Sequence, residues 1–372
     1  MTLPVPLDYP PMEAKLVAEL PDGPEWQYEP KWDGFRCLAF RNRGDVHLQS
    51  KSGQPLARYF PELVADLRAL APQKFVLDGE IVVPHGESLS FDLLLQRIHP
   101  AASRIARLSS ETPALFVVFD LLVDGRGRAC VEQPLGRRRA ALEKFVASIP
   151  ESGGKLLRLS PVAHDRADAG WFRSLGAGID GAVAKRRDLP YQSGLRTGMQ
   201  KYKLLRTADC VVGGFRYASE GKLVGSLLLG LYDDEGLLNH VGFSASLRAS
   251  DRAAITRDLE RLIEPPGFTG NAPGGPSRWS TERSGEWQPL APRLVAEVRY
   301  DHFSDGRFRH GTKFLRWRPD KAPRQCTMKQ VEQESASVLR LLGTQSASST
   351  RTRVAAESGG GAGRPGAGIL RS

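Results

Sequence analysis

Cysteine, long apolar runs and lysine are all scarce in this 372-residue chain, and each scarcity excludes something. The four cysteines, Cys37, Cys130, Cys210 and Cys326, lie far apart and form no CxxC pair. That spacing argues against a disulfide framework and against a four-cysteine zinc site. No run of 18 apolar residues occurs, so no membrane-spanning helix is encoded. The opening MTLPVPLDYPPMEAKL lacks the charged-then-apolar order of a secretory leader, and the expected location is the cytoplasm. The seven histidines show no metal-ligand spacing, and no chemistry is assigned to them. Lysine numbers 13 against 39 arginines. Arginine stays protonated and cannot act as a nucleophile, whereas lysine can once its pKa is lowered.

What is present is a net charge of +10 and a hydrophobic content of 41%, enough for a packed core. The excess charge suits a polyanionic partner, and its distribution says more than its size. Residues 179–206 hold seven Lys/Arg against two acids. Residues 293–324 hold nine against four, interleaved with Tyr300, Phe303, Phe308, Phe314 and Trp317. Cations beside aromatics fit a phosphate backbone and exposed bases; a plain solvated basic surface is the alternative.

The pattern along the chain predicts an α+β protein, with antiparallel sheets and flanking helices over residues 1–205. A short helix is expected over Met12–Leu20. Two strands, Trp26–Trp32 and Phe35–Phe40, are joined by Asp33-Gly34, a two-residue hairpin signal. Pro61 followed by Leu63, Leu67 and Leu70 predicts a helix with Pro in its first turn. Strands are expected over Lys74–Val83, Ala114–Val123, Ile179–Lys185 and Met199–Leu204, with helices over Arg137–Ser148 and Asp168–Leu175. Residues 206–330 change character. Five strand-like segments (Cys210–Tyr217, Leu223–Tyr232, Leu237–Phe243, Leu294–Tyr300, Thr312–Trp317) with one helical pattern, Ser250–Ile263, match an OB-fold β-barrel. Pro265–Ser280 reads as a long loop, and the Gly/Ser-rich residues 343–372 as a disordered tail.

The most informative string is Glu29-Pro30-Lys31-Trp32-Asp33-Gly34-Phe35-Arg36. A tight Asp-Gly turn would hold Lys31 at a strand end with Arg36 across it; an ordinary surface hairpin is the duller reading. Six further strings follow in a fixed order. They are Ser50-Lys51-Ser52-Gly53, Asp78-Gly79-Glu80, Phe119-Asp120-Leu121-Leu122, Asp180-Gly181-Ala182-Val183-Ala184-Lys185, Gln200-Lys201-Tyr202-Lys203 and Arg316-Trp317-Arg318-Pro319-Asp320-Lys321. In that order they resemble the motifs of the covalent nucleotidyltransferases, and among these the minimal bacterial ATP-dependent DNA ligases of the DNA ligase C type. The resemblance covers about residues 10–330. Lys51 stands where the family usually has Arg, and Asp180 where it usually has Glu.

The resemblance implies an adenylylation domain followed by an OB domain, and a ligase that seals nicks in duplex DNA through a lysyl-AMP intermediate. Lys31 would be the nucleophile, with Lys185, Lys201 and Lys203 sharing the catalytic work. Glu29, Arg36, Lys51, Glu80, Phe119, Lys185, Lys201, Arg318 and Lys321 would contact ATP, Phe119 by stacking on adenine. Glu80 and Asp180 would hold Mg²⁺ or Mn²⁺. Nearby cations would lower the Lys31 pKa towards reactivity. The OB domain would swing, bringing Arg318 and Lys321 to the pyrophosphate. The implied setting is DNA repair by a monomer, with Ku or other repair proteins as partners and no membrane. An RNA ligase or another nucleotidyltransferase, or a non-catalytic OB-type DNA-binding protein, are the competing readings.

Overall fold

A computed structural model describes residues 3–150, 153–166, 179–219, 221–274, 286–304, 306–309, 311–332 and 338–343. Three main sheets organise these residues. The first has the order β1-β11-β10-β2, from strands Lys15–Val17, Met199–Lys203, Ile179–Arg186 and Trp26–Trp32. The second has the order β4-β3-β5-β8-β9, from Asp45–Ser50, Phe35–Asn42, Lys74–Val82, Leu115–Val123 and Leu157–Leu159. A small hairpin, β6 (Pro84–His85) with β7 (Ser88–Leu89), extends from it. The pairings β1–β11 and β8–β9 are parallel, so these sheets are mixed rather than purely antiparallel.

Both faces of the second sheet are covered, and so β8 is buried at all nine positions. On one face lie α1 (Pro61–Ala69) and α4 (Leu135–Ala147), burying Leu63, Leu67, Leu142 and Phe145 against Phe75, Leu77 and Phe116. Leu63 and Leu67 are four residues apart, one turn of the same helix face. On the other face, Leu38, Phe40, Val76 and Leu122 meet Val5, Met12, Tyr191 and Met199. Helix α2 (Phe91–Gln96) adds Leu94 to the core beneath α1 and α4, and α3 (Ala102–Glu111) packs against α1.

Two expectations are corrected here. Residues 12–20 form no helix: the segment is extended, and β1 pairs parallel to β11. Tertiary pairing with a neighbouring strand overrides the local helical pattern, and prolines at 10, 11 and 21 flank it. Nor is Asp33-Gly34 a hairpin turn. Strand β2 runs beside β10, and β3 beside β4 and β5, with no ladder between β2 and β3 among the described residues, so the dipeptide passes the chain from one sheet to the other. The crossing is tight enough to require glycine, since a Cβ at position 34 would collide with the Ile81 carbonyl oxygen.

Only Leu204 and Leu205 separate β11 from β12 (Arg206–Tyr217), where the third sheet begins. Its order is β14-β13-β12-β16-β19, from Leu238–Ser244, Val224–Tyr232, β12, Val295–Tyr300 and Lys313–Trp317, with β15 (Gln288–Pro289) also on β12. It therefore has six strands where five were expected, with α5 (Arg252–Glu260) inserted after β14. Among the described residues the ladders do not close into a barrel. The sheet coils until its ends approach: the Thr312 N–H donates to the Phe243 carbonyl at 3.2 Å. Its core is a separate cluster around Val211, Phe215, Leu228, Leu231 and Val298. The short hairpin β17–β18 (Phe303–Ser304, Arg307–Phe308) projects towards the first sheet.

After the third sheet the chain returns. The turn α6 (Val338–Leu341) packs Val338 and Leu339 against Trp32, Val82 and Ile179. The expected helix Asp168–Leu175 and residues 344–372 of the expected tail lie outside the described residues.

Candidate active site

A cavity of about 760 Å³, its open mouth included, lies between the first two sheets. Its lining includes Met12, Glu13, Glu29, Lys31, Arg36, Lys51, Glu80, Phe119, Lys185 and Lys201. The split between sheets at Asp33-Gly34 explains how: β2 brings Glu29 and Lys31 from one wall, and β3 brings Arg36 from the other. Asp180, from β10, reaches the Lys31 Nζ at 2.8 Å.

Most charges in the cavity have a defined partner. The Lys185 ammonium donates to Glu29 at 2.8 Å, both side chains nearly excluded from solvent. It also lies 4.1 Å from the centre of the Phe119 ring, and the Arg36 guanidinium carbon lies 4.5 Å from the same ring. Arg36 is held by the fully buried Asp78 through bonds of 2.5 and 2.6 Å. Lys51 pairs with Glu13 at 3.1 Å at the mouth. Glu80 is half-buried without an ion pair among the described residues, and burial pushes its carboxyl up to about 7 despite Arg36 and Lys31.

The electrostatics of Lys31 run against the sequence expectation. Burial pulls its pKa down, but Asp180, then Glu80 and Asp33, outweigh that, and the ammonium is held above its ordinary value. The lysine held below its ordinary value is Lys201, through burial and the charges of Lys31, Lys51 and Lys203. Spacing along the chain counts cations but misses the carboxylates that folding brings in. Asp180 is lowered in turn: burial opposes its charge, and Lys31, His302 and Arg309 outweigh burial.

Three predicted residues lie elsewhere. Lys203 crosses to the second region and pairs with Asp301 at 3.1 Å. Arg318 donates to Asp209 at 2.9 Å, and Lys321 lies 3.4 Å from the same carboxylate. Asp209 on β12 thus collects both cations away from the cavity. Residues without a predicted role take their place near Lys31. Arg309, beside the β17–β18 hairpin, makes a two-pronged ion pair with Asp33, one prong 2.8 Å, and stacks 3.7 Å from the Phe91 ring centre. His302 lies 3.9 Å from Asp180. Burial, offset in part by Asp33, keeps His302 below its ordinary value. No local pattern at 302 or 309 announces a contact 122 or more residues away.

The residues suit a divalent cation. Ligand atoms of Asp33, Asp180 and His302 lie within 4.8 Å of one another. Glu80, on the same cavity wall and pushed up chiefly by burial, adds a hard oxygen. An amine, carboxylates able to hold a metal and an aromatic floor beside cations define an enzyme that handles a nucleotide polyphosphate.

Comparison with known proteins identifies which one. Residues 11–203 match the ATP dependent DNA ligase domain, and residues 220–321 the ATP dependent DNA ligase C terminal region. The chain is 44% identical over 344 residues to DNA ligase C1 of Mycolicibacterium smegmatis, covering 89% of this chain and 96% of that protein. It is 33% identical over 306 residues to the multifunctional non-homologous end joining DNA repair protein LigD of Mycobacterium tuberculosis, covering 80% of this chain and 37% of that protein. The solved structure of Pmar-Lig_PreS3 shares the fold at a TM-score of 0.53 and 18% identity, over 79% of this chain and 63% of that one. The chain belongs to the ATP-dependent DNA ligase family.

Proposed function

We propose that this protein seals nicks in duplex DNA with ATP, and that Lys31 carries the AMP. The observation that carries the reading is Lys31 in a cavity between two sheets, with carboxylates at its amine and cations along its walls. The Lys31 Nζ attacks the α-phosphorus of ATP; the bond to the β-phosphate oxygen breaks, and pyrophosphate leaves. AMP then passes to the 5′-phosphate at the nick, freeing Lys31, and the 3′-hydroxyl displaces AMP to form the phosphodiester.

The attacking amine must be neutral, so the Lys31–Asp180 pair has to open and the ammonium pass its proton to solvent water before bond formation. Asp180 and Glu80 are the oxygens that would hold Mg²⁺ or Mn²⁺, which supplies positive charge against the triphosphate. Lys185 and Lys201 carry charge that favours phosphate in the same cavity. Glu29 and Arg36 orient the nucleotide, Phe119 offers a flat face for adenine, and Lys51 meets phosphate at the mouth. Lys203, Arg318 and Lys321 act only after the two regions move, because their present partners are Asp301 and Asp209. We assign residues 1–205 to adenylylation and 206–330 to an OB domain that grips DNA.

Kinship with a non-homologous end joining DNA repair protein supports a repair setting, and within it we place the protein as a cytoplasmic monomer with Ku or other repair proteins as partners. No helix among the described residues is long and apolar enough to cross a membrane. The test is sealing of a singly nicked DNA duplex with ATP and Mg²⁺, compared with an RNA nick. Sealing of DNA that Lys31→Ala abolishes is the expected result; equal sealing by Lys31→Ala would refute it.

A further inference from the structure

One wall of the cavity comes from neither sheet. Pro11, Met12, Glu13 and Ala14 form it, from the extended segment ahead of β1. A loop at residues 191–196 fastens this segment. The Glu13 N–H donates to the Leu195 carbonyl at 2.8 Å, and the Ser193 hydroxyl to the Pro10 carbonyl at 2.8 Å. The Met12 N–H donates to the Tyr191 hydroxyl at 2.9 Å.

The last contact continues to Arg36. The Tyr191 hydroxyl donates its own proton to Asp78 at 2.6 Å, and Asp78 grips Arg36 beside the Phe119 ring. A phenol has one proton to give and lone pairs to receive, so this one oxygen joins the wall to Asp78 and through it to Arg36. The direct contact from the Arg36 guanidinium to the Met12 carbonyl is long, at 3.5 Å. Burial and the Asp78 charge hold Tyr191 well above its ordinary pKa, which keeps that proton in place. The ring itself packs on Tyr9 and Arg138, contacts that a phenylalanine would retain.

We propose that Tyr191 is a positioning residue for the nucleotide: its hydroxyl couples the Met12 wall, through Asp78, to the Arg36 guanidinium and so fixes the width of the cavity. This rests on reading the cavity as the ATP site. Without the hydroxyl, only the long 3.5 Å contact between Arg36 and the Met12 carbonyl ties the wall to the guanidinium, and binding energy goes into ordering them. The chemical step at Lys31, on the opposite strand, keeps its groups.

The experiment follows lysyl-AMP formation against ATP concentration in the intact protein and in Tyr191→Phe and Ser193→Ala, with thermal unfolding of each. Tyr191→Phe is expected to raise half-saturating ATP about 5- to 20-fold, as for loss of a buried bond to a charged group, with the maximal rate kept within about two-fold. Ser193→Ala, which loosens the wall without touching Asp78, is expected to change half-saturation less than about two-fold. The proposal is overturned if Tyr191→Phe leaves half-saturation unchanged and only lowers the unfolding temperature. An equal rise in Ser193→Ala would overturn it too, since general anchoring of the wall would then suffice. Absence of any adduct in the unaltered protein would instead remove the ATP reading beneath it.

Discussion

Replacing Lys185 by methionine separates what this residue does for the fold from what it does for phosphate chemistry. Its ammonium lies 2.8 Å from Glu29, with side-chain exposures of 6% and 2%. Methionine fills nearly the same space but leaves the Glu29 carboxylate buried with only the Gln27 amide as a described partner, at 2.9 Å. Breaking a buried pair from one side costs about 3–5 kcal/mol, because the remaining charge stays desolvated. In a domain of this size that corresponds to roughly 6–20 °C in unfolding temperature. Loss of the cation over Phe119, 4.1 Å away, adds to it. Glu29→Leu combined with Lys185→Met removes both charges and is expected to recover most of that stability, since an apolar pair of similar volume packs without the desolvation cost. Lysyl-AMP formation should stay depressed in the double variant, because the phosphate loses a cation whether or not the fold is restored. Calorimetry and adduct formation, measured on the same samples, separate the two. A single variant within about 1 kcal/mol of the parent would refute the buried-pair reasoning, and a double variant with full adduct formation would refute the phosphate role.

Gly34→Ala should destabilise the protein by more than about 2 kcal/mol in chemical denaturation, because its methyl would meet the Ile81 carbonyl where the chain changes sheets. Arg309→Ala removes the ion pair to Asp33 between the two regions, and small-angle scattering of the free protein should show a larger radius of gyration. For Glu80, the folded-state pKa of about 7 lies above the ordinary carboxyl value, so its burial is tolerated at low pH and opposes folding as pH rises through 7. In EDTA, Glu80→Gln should therefore gain on the parent between pH 5 and pH 8, by about 2 kcal/mol, and a pH-independent difference would contradict the assignment.

The sequence conveyed the strands best where they are buried on both faces. The run Leu115–Val123 is apolar enough to announce a central strand, and Pro61 with Leu63 and Leu67 announced α1. Lys31, Glu29, Arg36, Lys185 and Lys201 were legible because their strings keep a shared order, and the cavity brings them together. Asp33-Gly34 misled because a hairpin and a sheet-to-sheet crossing need the same tight dipeptide; only the partners of β2 and β3 distinguish them. Residues 12–20 misled because a three-residue parallel pairing leaves no periodic trace. Asp78, Tyr191, His302 and Arg309 matter through contacts between distant segments, and the raised Lys31 pKa follows from carboxylates gathered the same way.

The most direct measurement is peptide mapping by mass spectrometry after incubation with ATP and Mg²⁺. A single AMP on the peptide containing Lys31, released when pyrophosphate is added back, is the predicted result. AMP on another lysine, or none on a folded sample, would contradict the central claim.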